Sequence, residues 1–185
     1  MKKTLLNLLI VATLLLVAFT ACKKDDDGGN ASVIEAKNVK TWGNSSVATV
    51  KATIEAYDFE IASSKFQNNS FTLKLPKSVA GEYLDFATTI APASLMSDKN
   101  AKGAFLKVNA FNSFGEAEGT FLLIDDTNEV WADYVFVDRK LTIQGASWGI
   151  QYDCSLKKGW NIIYLYKFKY TTQKPSNKNM NWYLN

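Results

Sequence analysis

The sequence predicts an all-β fold, an antiparallel β-sandwich with one short helix near residues 78–90. Three observations carry that expectation. Beyond residue 32, apolar and polar residues alternate with period two along most of the chain, the pattern of strands that bury one face. Clusters of Gly, Asn, Asp and Ser break the alternation at intervals of roughly ten residues, the rhythm of sandwiches and barrels. The runs between them differ in length, whereas a closed barrel needs matched strands, so the sandwich is preferred.

The chain opens with an export signal. Met1-Lys2-Lys3 is positive, Leu5 to Phe19 is apolar except for Asn7 and Thr13, and the small residues Thr20 and Ala21 follow. The apolar run is shorter than the roughly 20 residues that a spanning helix needs, so it reads as a secretory signal. Phe19-Thr20-Ala21-Cys22 resembles the bacterial lipobox, with Phe19 in place of the usual Leu or Val. The resemblance implies that residues 1–21 are a signal peptide cut before Cys22, and that Cys22 is lipidated on its thiol and its new amine. Several acyl chains, each contributing about 0.8 kcal/mol per buried methylene, anchor a protein where one chain is marginal.

Lys23-Lys24-Asp25-Asp26-Asp27 comes next and resembles the surface-export signal of Bacteroidetes-type lipoproteins, which implies display on the outer-membrane surface. Adjacent like charges resist burial, so with Gly28-Gly29-Asn30-Ala31 the run also reads as a flexible tether. Residues 22–31 are therefore tether, and 32–185 are one β-sandwich domain.

Within the domain the strands follow in order. Val33 to Ala36 is a short strand, and Trp42-Gly43-Asn44-Ser45-Ser46 is a turn. From Val47 the residues Ala48, Val50, Ala52, Ile54 and Ala56 share one face, with Thr49, Lys51, Thr53 and Glu55 opposite. Phe59-Glu60-Ile61 and Phe71 to Leu75 flank Gln67-Asn68-Asn69-Ser70, whose Asn pair suits a turn with positive φ, so a hairpin is expected. Between Pro76 and Gly103, Val79, Tyr83, Phe86 and Ile90 recur at helical spacing and predict the short helix.

Strands resume at Ala104 to Phe111 and Thr120 to Ile124, joined through the turn Asp125-Asp126-Thr127-Asn128-Glu129 to Val130–Val137. That last run is apolar on both sides except for Asp133, as in a central strand covered on each face. Leu141 and Ile143 alternate with polar residues, as do Ile150, Tyr152, Cys154 and Leu156 across the loop Gly145-Ala146-Ser147-Trp148-Gly149. Trp160 to Tyr170 is the next strand, and Asn181-Trp182-Tyr183-Leu184 a final edge strand.

The segment from Ile61-Ala62-Ser63-Ser64 to Asn69-Ser70-Phe71-Thr72-Leu73-Lys74-Leu75-Pro76 resembles the middle hairpin of the transthyretin-like, carboxypeptidase-regulatory-type sandwich. An Ig-like sandwich is the other form expected.

Composition narrows the function. There is no His, which removes the commonest general base, the usual partner of a nucleophile and the commonest metal ligand. No catalytic residue, metal site or cofactor is expected. Losing Lys2 and Lys3 with the signal takes two units from a net charge of +3, and the remaining Lys residues are interspersed with acids, Arg139 being the only Arg. Nucleic acid is therefore not an expected partner.

Cys154 shares the parity of Ile150, Tyr152 and Leu156 and reads as a small core residue. Asp125 to Glu129 offers oxygen ligands without the spacing of a calcium loop, so it reads as a plain turn. Glu116 and Glu118 lie two apart, a commonplace of exposed strands. Of five Trp residues, Trp42 and Trp148 lie in Gly-flanked loops, where an indole can stack on a sugar or anchor a protein partner. Packing on the core or its edge is the plainer reading of each, and Trp148 keeps the inward parity of Leu141, Ile143 and Ile150 that would let it cap the core. The expectation is a surface-exposed, lipid-anchored binding protein held to the membrane through Cys22, without catalytic activity. A glycan contacted by Trp42 or Trp148 is its most concrete form, and a protein partner is the other. The alternative is a fimbrial or adhesin-type subunit that assembles by strand donation.

Overall fold

The computed structural model describes residues 32–41 and 46–185, so the signal, the tether with Cys22, and Trp42 lie outside the described residues. What it describes is all-β and sandwich-like, with fourteen strands among those residues. β1 (Val33–Ala36) pairs with β5 (Phe71–Lys74) as a separate two-stranded sheet. The remaining strands form one large, strongly bent sheet.

The large sheet is built around β9 (Val130–Val137), which pairs along its whole length with β12 (Gly159–Tyr166). Its other edge meets β7 (Lys102–Phe111) and β8 (Ala117–Asp125) in turn. β3 (Thr49–Ile54) and β4 (Phe59–Lys65) extend the sheet beyond β7. β14 (Met180–Leu184) and β2 (Lys40–Thr41) extend it beyond β8. On the far side, β12 carries β13 (Lys169–Thr171), then β11 (Ile150–Leu156) and β10 (Leu141–Ser147). β11–β13 and β14–β2 are parallel pairs, and the others are antiparallel.

Two apolar cores lie on opposite faces. On one, Ile34, Leu73 and Phe71 of the small sheet pack on Val50, Ala52 and Ile54, with Phe136, Trp160 and Trp182. On the other, Leu141, Ile143, Cys154 and Leu156 of the β10–β11 hairpin curl over Val135, Val137 and Ile163. The second half of β9 is therefore buried on both sides, as its unbroken apolar run implies.

Several local expectations change. The helix near 78–90 does not form: the segment makes short 3-10 turns at Gly81–Tyr83 and Ala87–Thr89, with β6 (Asp85–Phe86) between them. It crosses from one core to the other, burying Leu84 in the first and Ala87 and Ile90 in the second. The strand between pairs with Gly103 and Lys102, which a helix could not do. β4 and β5 form no hairpin ladder either. Asn68 and Asn69 do take positive φ and Gln67 bridges Ser70, but β5 leaves to pair with β1, whose Ile34 and Ala36 sit opposite Leu73 and Phe71.

The run from Trp160 to Tyr170 is two strands, broken at Lys167 and Phe168, both with positive φ. β10 runs on through Gly145 to Ser147, leaving a loop of only two residues. β14 is one strand in from the edge, with β2 outside it.

One feature of the sheet positions the candidate site. β7, β8 and β9 are mutually antiparallel: β7 pairs with β9 through Gly103–Phe105, β8 with β7 through Ala117–Phe121, and β8 with β9 through Leu123 and Ile124. Three strands lying side by side cannot all oppose one another. They therefore diverge from a three-way junction, and Leu106, Lys107, Leu122, Asp133 and Tyr134 surround the gap at its centre.

Candidate functional site

The face of the sheet that carries Val135 and Val137 is covered only along part of its length. Residues paired across strands share a face, which places Trp131, Ile124 and Asn181 in one row and Leu122, Tyr183 and Lys40 in the next. None of these belongs to either core. Trp131 is 40% exposed, while Leu122 and Tyr183 are partly exposed.

Two hollows flank the indole and share Trp131 and Leu122 as walls. The first, of about 150 Å³, opens into the three-strand junction and adds Glu55, Lys107, Asp133 and Tyr134. The second, of about 200 Å³, adds Ile124, Asp126, Asn128 and Tyr183.

The polar rims of the two hollows differ. Around the second, Asp126 accepts hydrogen bonds from Lys40, from the Tyr183 hydroxyl at 2.7 Å and from Asn181 Nδ2 at 2.8 Å, and Lys40 also donates to Tyr183 at 3.0 Å. Lys40, with help from Tyr183, holds the Asp126 carboxyl below the usual range, and Asp126 raises the Lys40 ammonium in return. Around the first, Asp133 and Glu55 have no hydrogen-bond or ion-pair partner among the described residues. Desolvation, then repulsion from Glu55, pushes the Asp133 carboxyl above the usual range.

The turn Asp125–Glu129 closes the edge of this face and acts as a turn. Asp125 is buried and accepts from Glu129 N–H at 2.7 Å, Val130 N–H at 2.8 Å and Thr127 Oγ1 at 2.5 Å, with Lys178 Nζ at 3.1 Å. Burial opposes its charge, but those donors outweigh burial and hold the carboxyl well below the usual range. Among the described residues no group of three or more acidic, Cys or His side chains is placed to hold a metal ion.

Of the aromatic residues singled out from the sequence, Trp42 lies outside the described residues. Trp148 is 91% exposed at the tip of the β10–β11 hairpin. Trp148 and Gly149 both take positive φ, the form of a two-residue turn that matches sheet twist. The neighbouring β12–β13 turn carries Phe168, 76% exposed, whose carbonyl accepts from Gln151 N–H at 2.8 Å, so the two turns adjoin.

The structure does not bring Trp148 to the Trp131 face as a common site. Cys154 is buried and its thiol is pushed up to about 11 by that burial, the state of an inert core residue. Glu116 accepts from Asn112 in the β7–β8 turn, and Glu118 accepts from Ser46, so the two carboxylates serve separate local contacts.

Sequence reasoning missed Trp131, Tyr183 and Lys40. The signal that could have exposed the first is Asp133, which shares its parity and breaks an otherwise apolar face. No protein family, curated protein or solved structure matches the chain.

Proposed function

We propose that this chain is a lipid-anchored protein of the outer-membrane surface that binds a glycan, without catalysing a reaction, on the open face around Trp131. One observation carries the reading: a partly exposed indole lies between two hollows, backed by Leu122 and Tyr183 and rimmed by carboxylate, amide and ammonium groups. Sugar rings present an apolar C–H face and a polar hydroxyl edge. An aromatic ring meets the first and a polar rim the second.

The direction of the domain supports outward display. Ser32 stands beside Leu75, one residue from Pro76, whose carbonyl accepts from Trp160 Nε1 at 2.8 Å near the start of β12. Tyr166, at the other end of β12, pairs with Val130 beside the candidate face. Eight strand residues at about 3.3 Å each therefore separate the level at which the tether enters from the level of Trp131. A tether anchored at Cys22 would thus join the domain at the end of β12 remote from the candidate face.

The test is retention of the full chain, purified in neutral detergent, on a panel of immobilised oligosaccharides. The native chain is expected to be retarded by at least one, with retention lost in Trp131→Ala and in the bulkier Trp131→Leu, both checked for native melting. Absence of retardation across a broad panel contradicts the reading.

A further inference from the structure

The two hollows beside Trp131 differ in one respect that bears on ligand chemistry. In the second, the acidic side chains of the lining are already paired, Asp126 with Lys40, Tyr183 and Asn181, and Asp125 with Lys178. In the junction hollow, Asp133 and Glu55 face the same space, and Lys107, the one cation in its lining, forms no ion pair with either among the described residues. This hollow therefore sets two unpaired carboxylates and one Lys against an open indole, whereas the acidic side chains of the other are already matched by cations.

A carboxylate pair beside an aromatic face suits a primary ammonium. The carboxylates accept charge-assisted hydrogen bonds, and the ring quadrupole attracts the cation. Two carboxylates are too few oxygen ligands for a dedicated calcium or magnesium cage, and no third acidic side chain joins them among the described residues.

Resting on the reading of this face as a glycan site, we infer that its ligand is a linear glycan with a free amino sugar seated in the junction hollow and a neutral sugar in the hollow beside it. Trp131 is the wall common to both, so it stacks where the two sugars join. Local desolvation, with repulsion from Glu55 added to it, disfavours the charge on Asp133 although its side chain is exposed, and an ammonium between the two carboxylates would offset that repulsion. Tyr170, on β13 two strands from Asp133, also feels the Asp133 charge and adds no positive group.

Calorimetric titration of the full chain in neutral detergent tests this with three β-1,4 hexamers, of glucosamine, N-acetylglucosamine and glucose. The pH is set where the sugar amine is protonated and the carboxylates are ionised. The glucosamine hexamer is expected to bind roughly tenfold or more tightly than the other two, the scale of one hydrogen bond to a charged group. Asp133→Asn with Glu55→Gln is expected to remove that preference and leave weak binding of the glucose hexamer. Equal or tighter binding of an uncharged hexamer overturns the amine assignment while leaving the glycan reading intact. A preference for amine that survives the double variant overturns it as well, because the selectivity then arises elsewhere. If no hexamer binds, and a broader panel is also not retained, the glycan reading and the inference fall together.

Discussion

At the scale of single residues, the chain sets two carboxylates on neighbouring strands to opposite uses. Asp125 is held ionised by four donors and organises a turn, while Asp133 is left without a partner at the mouth of a hollow. The first is a stability device. Its carboxyl is depressed in the folded chain, so its contribution is present above the ordinary carboxylate value of about 4 and is lost as pH falls below that toward the folded value. Asp125→Asn is expected to cost about 1–3 kcal/mol at neutral pH in denaturant melts, with the gap from the native chain closing in acid. A gap that stays constant with pH would mean that the charge plays no part. Asp133 runs the other way, since a raised carboxyl favours the protonated fold and its charge weighs against stability as pH rises. Side chains retained at such a cost concentrate at binding sites.

Single residues were also where the sequence was least complete. Cys154 stands in a core, where its parity puts it, whereas Trp148 shares the inward parity of Leu141, Ile143 and Ile150 and yet stands exposed at a loop tip. Trp131 was hidden, because exposure of half a strand depends on where a distant hairpin stops covering it.

At the scale of elements, period two was enough to locate strands and their inward faces. Val50, Ala52 and Ile54 are all buried, and so are Leu141, Ile143, Tyr152, Cys154 and Leu156. Alternation encodes a face and not a partner, which is why the β4–β5 hairpin was misread while both strands were found. It also has no way to report a strand that must cross between cores, and there β6 and its 3-10 turns replaced the expected helix. The docking of β14 turns on Gly119. A Cβ built there would lie 2.3 Å from the Asn185 carbonyl oxygen, at φ +148°, beside the paired Thr120 and Asn185 backbones. Gly119→Ala is expected to destabilise by about 2–4 kcal/mol through overpacking and backbone strain. Gly81→Ala, which meets nothing within 4 Å, is the neutral comparison. Equal melting of the two variants would contradict this account of how the last strand is seated.

At the scale of the whole molecule, the candidate site follows from incomplete coverage. Two β layers close over opposite faces of β9, and the strands diverge at one junction before the second layer reaches Trp131. The open face is thus a product of topology, beyond the reach of any local sequence pattern. Strand donation by the C-terminal segment would require β14 to leave both β8 and β2 and to draw Trp182 out of the core. The central claim, that glycan binds where the sheet opens, is tested most directly by mapping amide chemical shifts of the isotope-labelled chain during titration with a retained oligosaccharide. The account predicts shifts concentrated on Leu122, Trp131, Asp133 and Tyr183. Shifts confined to the turns bearing Trp148 and Phe168, with the Trp131 face unmoved, would contradict it.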